Sequence, residues 1–277
     1  MWRYYRTHGR HDLPWRQTHD LYKILVSEVM LQQTQVDRVI PFYKKFIKTF
    51  PTPVRLASAS LASVLQLWQG LGYNRRAKLL HQAATKFPRF DLENSDLRSN
   101  LKNSNFVARL EELPGVGPYT ARAIAAFVYN QDVIVIETNI RTAVIHHFFS
   151  RKNGQHLVLA KKVSDSEIEK ILTAALPRGR SREWYSALMD YGAHLKQSGI
   201  SHNARTKKYV KQSKFVGSNR EARGAILRAL VSGKQYQGLT LINLFGPSRH
   251  AQLRAALAAL EKEGLIKKKS GRYSLAD

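Results

Sequence analysis

Residues 105–128 read NFVARLEELPGVGPYTARAIAAFV, and this stretch decides the fold. A helix must end at the Leu113–Pro114 boundary, Gly115 and Gly117 admit a tight turn, and Pro118 suits a first helical position, where it has no N–H to lose. The expected product is two helices joined by a short hairpin with exposed N–H groups. N–H groups at a helix start bind phosphate, and glycine lets a nucleic-acid backbone come close. An ordinary helix–helix turn fits the same pattern, and a lone G-x-G does not separate the two.

Charge favours the first reading. The chain has 277 residues, with 45 Lys plus Arg against 20 Asp plus Glu, a formal net charge of +25. Such an excess calls for a polyanionic partner, and no segment joins a basic face to an exposed apolar face as a membrane-surface helix would, so nucleic acid is expected and a membrane is not. No stretch approaches the roughly 18 consecutive apolar residues of a membrane span, and MWRYYRTHGR at the N-terminus lacks a signal-peptide core, which places the expected site of action inside the cell. The absence of cysteine excludes disulfides, thiolate-bound zinc and a cysteine-ligated iron–sulfur cluster.

Residues 1–205 read as almost wholly helical, punctuated by FPTPV at 50–54, GLGYN at 70–74, LPGVGPY at 113–119 and LPRGRS at 176–181. The strand-like run DVIVIE at 132–137 is short, and we read it as a buried extended connection. From about 206 to 219 the texture becomes cationic, with scattered Gly, Ser and Asn, as in a basic linker. Residues 220–277 carry their own core. One helix rests on Ala225, Ile226, Ala229 and Leu230, a second lies around LTLINLF, and a third rests on Leu253, Leu257 and Leu260; a hairpin then turns at Ser270–Gly271. Three helices followed by a hairpin is the winged-helix order.

Two carboxylates stand out. In HDLYKILVSEVMLQQTQVDRV at 19–39, Leu21, Ile24 and Leu25 set an apolar stripe behind an Asp20 cap, and the next position on that stripe is Glu28. An inward glutamate is either salt-bridged or desolvated with a raised pKa. At an ordinary pKa of about 4.3 only ~0.2% is protonated at pH 7, whereas a pKa near 6 leaves about a tenth as acid. The second, Glu137, follows four β-branched residues in VIVIETNIR. An acid and an anion of this kind are the pair that cleaves a glycosidic bond, one protonating the leaving group and one facing the oxocarbenium ion.

Taken together, DLPWR (12–16), SEVMLQQTQV (27–36), FPT (50–52), LWQGLGYNRRAKLLH (67–81), LPGVGPYTARAI (113–124), ETNIR (137–141) and WYSALMDYGA (184–193) resemble the helix-hairpin-helix (HhH-GPD) DNA glycosylases, and within them the MutY-type adenine DNA glycosylases. The resemblance covers about residues 1–195. It implies an all-α glycosylase fold of two helical lobes around an active-site cleft, to which the small winged-helix-like domain is added. It also implies a monomeric enzyme of base excision repair acting on double-stranded DNA, soluble in the cytoplasm or nucleoid of a prokaryote, which flips out adenine mispaired with G or 8-oxoguanine and hydrolyses its bond to the sugar. Another mismatched or damaged base, or a catalytically attenuated DNA-binding protein, is the alternative.

By the same resemblance Glu28 is the acid that protonates adenine N7, Glu137 the anion, Asn139 its companion, and Tyr119 a hydrogen-bond donor to the catalytic carboxylate. Tyr119 stands where lyase relatives carry a Schiff-base lysine, so no lyase activity is expected. Gln32 and Gln33 fall where the family pushes side chains into the duplex, and Tyr73 where an aromatic ring wedges beside the opposing base. Arg75, Arg76, Pro114, Gly115, Val116, Gly117, Lys207 and Lys208 complete the expected DNA contacts. Departures are as informative. Glu137 replaces the family's aspartate, and an extra methylene moves a carboxylate by roughly 1.5 Å on an unchanged backbone, where misplacement of about 1 Å costs on the order of 100-fold in rate. The cluster-bearing cysteines are absent, so packing must replace that staple. Lys196, Arg205, Lys207, Lys208 and Lys211 lie in that region as candidate phosphate contacts. The C-terminus is not the NUDIX-like module of the family. No catalytic metal is assigned, since His146 and His147 are adjacent and face apart, and a monovalent cation on the carbonyls of Leu113–Val116 is a family expectation.

Overall fold

The computed structural model describes residues 1–87, 105–149, 151–152, 155–156, 162–205 and 214–277. Lys207, Lys208 and Lys211 lie outside the described residues. In chain order the helices are α1 (Trp2–His8), α2 (Leu21–Leu31), α3 (Val36–Thr49), α4 (Pro53–Ala57), α5 (Leu61–Trp68), α6 (Arg75–Lys86), α7 (Asn105–Glu111), α8 (Pro118–Tyr129) and α9 (Thr138–Phe148). The short strands β1 (Arg151–Lys152) and β2 (Gln155–His156) pair antiparallel, and α10 (Asp165–Ala175) and α11 (Ser181–Gln197) follow. The C-terminal part comprises α12 (Asn219–Val231), β3 (Tyr236–Gln237), α13 (Gly238–Ile242), α14 (His250–Lys262), β4 (Ile266–Lys269) and β5 (Arg272–Leu275). The architecture is all-α, as expected, and the strands among the described residues fall in two small sheets. No helix among the described residues is long and apolar enough to cross a membrane.

The chain divides into two compact units. The first comprises residues 1–28, 93–112 and 116–211, and the second residues 29–92, 113–115 and 212–277. In the first unit α9 and α11 pack around a core of Ala123, Val135, Ile140, Val144, Ile168, Leu172 and Tyr185. Its N-terminal segment is fixed to α11 by buried Asp190, which accepts from the Arg10 backbone N at 2.8 Å and from both arms of the Arg16 guanidinium at 2.6 and 2.8 Å. Burial pushes the Asp190 carboxyl up, but Arg16 and Arg10 outweigh it and hold the pKa below its ordinary value. DLPWR and MDYGA are thus joined as the two ends of one ion-pair network.

Residues 132–137 form no strand; Val133 N donates to the Gln131 carbonyl at 2.9 Å, and a side chain serves two more of their backbone groups. The Tyr185 hydroxyl donates to the Val133 carbonyl at 2.8 Å and accepts from Val135 N at 3.2 Å. Val135 alone of the four β-branched residues is buried; the other three are half-buried.

The second unit contains α3–α6 and the C-terminal helices and sheet. Ala222, Ile226, Leu227 and Leu230 of α12 pack with Leu253, Leu257 and Leu260 of α14. Ser270 and Gly271 both take positive φ, +48° and +76°, which is what a two-residue turn between β4 and β5 requires. β3 pairs with β5 and makes the sheet three-stranded where the sequence indicated a hairpin alone. This C-terminal part joins the α3–α6 part through polar contacts. Lys78 Nζ donates to the carbonyls of Glu263 and Gly264 at 2.6 and 3.2 Å, capping the end of α14, and Gln69 Nε2 donates to the Leu227 carbonyl at 3.4 Å.

Candidate active site and nucleic-acid interface

The first unit assembles the carboxylates. Asp20 Oδ1 accepts from Lys23 N at 3.0 Å and starts α2, whose Leu21, Ile24 and Leu25 are buried. Glu28, on the same face, is only 7% exposed. Burial raises its carboxyl to about 7; a hydrogen bond with Tyr119 works against the rise and the nearby Glu137 charge adds to it. Tyr119 opens α8 directly after Pro118, and burial together with Glu28 pushes its phenol well above the ordinary tyrosine value, so it stays a neutral donor.

Glu137 is the N-cap of α9. Its Oε1 accepts from Asn139 N at 2.7 Å and Ile140 N at 2.8 Å, while Oε2 accepts from the Thr138 hydroxyl at 3.1 Å. The extra methylene is therefore taken up by curling the side chain back onto the helix start, where unsatisfied N–H groups and the helix dipole favour an anion. Two contacts from α11 fix this helix start. Gly192 lies so close that a Cβ there would stand 2.0 Å from the Asn139 carbonyl oxygen. One turn on, Lys196 Nζ donates to Asn139 Oδ1 at 2.8 Å. Burial lowers the Lys196 pKa, with Glu137 opposing. Arg141, in the next turn of α9, is engaged with Asp165 at 2.8 and 3.0 Å.

The residues present do not fit an iron–sulfur cluster. The chain has no cysteine, and residues 198–205 make protein contacts instead. The His202 ring lies 5.7 Å from that of buried His146, Arg205 donates to the Phe149 carbonyl at 2.9 Å, and the Arg205 carbonyl accepts from Val163 N at 2.8 Å. Lys196 and Arg205, read from the sequence as candidate phosphate contacts, thus turn toward the protein. No group of three His, Cys, Asp or Glu side chains able to hold a metal ion occurs among the described residues.

The second unit holds Gln32, Gln33, Tyr73, Arg75, Arg76, Pro114 and Gly115 of the residues expected against DNA, while Val116 and Gly117 fall in the first. Gln32 and Gln33 lie in the turn that follows α2, and Gln33 takes φ +56°; Tyr73, at the end of GLGY, takes φ +48°. Left-handed backbone at bulky residues costs about 1–3 kcal/mol each and concentrates at functional sites. Arg75 is exposed at the start of α6. Arg76 behaves otherwise. It is buried, and its guanidinium donates to the carbonyls of Val29, Met30, Gln32 and Gly72 at 2.5–3.1 Å. Its expected contact with DNA is therefore replaced by a bracing role, since a guanidinium spent on carbonyls has no donors left to aim at phosphate. At the hairpin, Gly115 has φ +82° and would place a Cβ 2.8 Å from the Cβ of Leu79, so turn and packing both require glycine.

Two residues with a part in these sites escaped the sequence reading. Gly192 looks like any helical glycine, and Arg220, which donates to the Tyr73 hydroxyl at 3.3 Å, lies 147 residues away from its partner.

Comparison with known proteins agrees with this geometry. Residues 26–167 match the HhH-GPD superfamily base excision DNA repair protein family. The chain is 32% identical over 287 residues to the adenine DNA glycosylase of Mycolicibacterium smegmatis, covering 97% of this chain and 92% of that protein. It is 40% identical over 192 residues to the adenine DNA glycosylase of Mycobacterium tuberculosis, covering 69% of this chain and 58% of the relative, so it spans little more than half of the latter. Among solved structures, a thermostable thymine-DNA glycosylase superposes with a TM-score of 0.55 at 21% identity over 73% of this chain and 87% of that one, which shows the shared fold. With its glycine hairpin, its buried Glu28, a family match over residues 26–167 and a relative matched over 97% of its length, the chain belongs to the HhH-GPD superfamily of base excision DNA repair proteins, on the MutY-type branch.

Proposed function

We propose that the protein is an adenine DNA glycosylase that excises adenine mispaired with G or 8-oxoguanine and leaves an abasic site. The observation that carries this reading is a pair of carboxylates in unlike surroundings: Glu28, buried and raised to about 7, is about half protonated at neutral pH, while Glu137 accepts three hydrogen bonds at a helix start. Glu28 gives its proton to the extruded base, the bond from sugar C1′ to N9 breaks with both electrons leaving on adenine, and Glu137 faces the oxocarbenium ion until water adds at C1′ and loses its proton. Tyr119 orients the acid. It offers no amine for an imine with the opened sugar, and the Lys196 amine is engaged with Asn139, which supports a hydrolytic enzyme without lyase activity.

Gln32, Gln33, Tyr73, Arg75 and the hairpin Pro114–Gly117 are proposed to hold the distorted duplex, offsetting the few kcal/mol that flipping costs. The net charge of +25 supports phosphate contact in general, with Lys207 and Lys208 among the candidates. A monovalent cation on the hairpin carbonyls, action as a monomer and a place in the bacterial cytoplasm complete the proposal.

The test is single-turnover excision from duplexes with A opposite 8-oxoguanine, G, C or T, followed by alkali, for wild type, Glu28→Gln and Glu137→Asp. Wild type is expected to cut at A opposite 8-oxoguanine and G, and Glu28→Gln to be slower by about 10²–10⁴-fold, the usual worth of a general acid. Equal rates for Glu28→Gln and wild type would remove Glu28 from its role. Cleavage by Glu137→Asp alone would make the natural protein an attenuated enzyme.

A further inference from the structure

Lys196 turns inward, where a lysine ordinarily reaches for water. It is half-buried in the last turn of α11, and burial lowers its pKa while the Glu137 charge favours the ammonium and the Arg141 charge opposes it. An amine gives up water only where the protein receives its donors. The receiver is Asn139, whose Oδ1 accepts from Lys196 Nζ at 2.8 Å. α11 is seated for this contact. Gly192 lies four residues earlier on the same helix face, and it lets the two backbones approach until an added Cβ would stand 2.0 Å from the Asn139 carbonyl oxygen. The close approach brings the Lys196 stem within reach of the same residue's side chain.

Asn139 is held at both ends. Its backbone N donates to Glu137 Oε1 at 2.7 Å, and its side-chain oxygen receives Lys196, so one residue links the anion to the amine. Arg141, the other cation in this part of α9, is committed to Asp165 at 2.8 and 3.0 Å. An amide has an accepting oxygen and a donating nitrogen of nearly equal shape, whereas an ammonium has three donors and no acceptor. Turned over, the amide would set N–H against N–H. Charge therefore decides its orientation, with Oδ1 toward α11 and the two donors of Nδ2 turned away from the amine. We propose that Lys196 is a positioning residue for excision, locking the Asn139 amide so that it presents donors and not its oxygen to the substrate strand. The assignment rests on the proposed excision of adenine and adds to it a residue that acts through Asn139 without touching DNA.

A double-mutant cycle on the full chain tests it. Single-turnover excision of adenine opposite 8-oxoguanine is measured for wild type, Lys196→Met, Asn139→Ala and the double variant, below the melting temperature of each. Affinity for a duplex carrying a tetrahydrofuran abasic analogue is measured at two or more salt concentrations. Lys196→Met keeps the apolar stem and loses the donor; it should excise about 10–100-fold more slowly, with affinity and salt dependence unchanged. The double variant should be no slower than Asn139→Ala alone, because the lysine has no other route to the reaction. Lys196→Gln runs through the same cycle as a second variant, so that a folding defect in one leaves the other to decide. Three results overturn the assignment: a rate equal to wild type, losses that multiply in the double variant, as a merely structural lysine would give, or weaker binding with a shallower salt slope, which would make Lys196 a phosphate contact. Wild type that excises no adenine overturns the enzyme reading and this assignment together, whereas active wild type with multiplying losses overturns the assignment alone.

Discussion

The Glu28–Glu137 region and the Gln33–Tyr73 region place their free energy in different forms. In the first, backbone geometry is ordinary and the tension is electrostatic: a carboxyl deprived of water beside a second carboxylate held by N–H donors. In the second, tension lies in the backbone, with two bulky residues in the left-handed region, one of them beside arginines. A group that moves a proton needs a shifted ionisation equilibrium, whereas a group that intrudes on a base stack needs a rigid, pre-paid shape. The two kinds of tension respond to different perturbations, pH for the one and side-chain or backbone relief for the other.

The comparison is sharpened most by Glu28→Gln. Glu28 is raised from 4.5 to about 7 in the folded protein, so the native state binds more protons than the unfolded chain between those values. Stability conferred on the native state by the protonated form is intact below about pH 4.5, declines as pH rises toward 7 and is fully lost above it. Glu28→Gln removes that penalty, and it should be more stable than wild type at pH 8 by about 3 kcal/mol, at 1.36 kcal/mol per unit. The advantage should vanish near pH 4. Chemical denaturation at both pH values checks this, and an equal difference at each would show that desolvation of the anion is not what separates the two proteins.

A smaller effect tests whether the electrostatic region also depends on geometry. Gly192→Ala drives a methyl into the Asn139 carbonyl, forcing α9 and α11 apart at the Glu137 cap. We expect about 1–3 kcal/mol of destabilisation, the usual effect of overpacking, and about 100-fold slower excision at a temperature where the variant is folded. A rate loss no greater than the unfolded fraction explains would show that the cap tolerates displacement. The smallest effect belongs to the strained region. Gln33→Gly relieves the left-handed backbone and should leave the fold unchanged or stabilise it by up to about 1 kcal/mol, while weakening duplex binding. Measurable destabilisation would mean that the side chain carries stability and that strain is not stored there.

Much of this was readable in the chain. The hairpin followed from Pro and Gly chemistry, the inward course of Glu28 from the spacing of Leu21, Ile24 and Leu25, and the C-terminal sheet turn from Ser270–Gly271. These are local signals, because a turn or a helix face is set within a few residues. Arg76 was misread for a physical reason: its partners are main-chain carbonyls, which leave no trace in the side-chain pattern. Gly192, Lys196 and Arg220 draw their meaning from partners 53, 57 and 147 residues away, and β3 is two residues long, below what alternation can reveal.

The ion-pair network of Asp190 bears on how the protein is made. Arg10 and Arg16 leave the ribosome 180 and 174 residues ahead of the carboxylate they neutralise, and Lys78 precedes the carbonyl it caps by 185. At about 5–20 residues per second, each waits roughly 10–40 s for its partner. Both compact units are closed by residues that follow their partners by more than 170 positions, so neither reaches its final contacts until those residues are made. The nascent basic chain spends that interval beside ribosomal RNA, a polyanion of the same chemical kind as the substrate it will later hold.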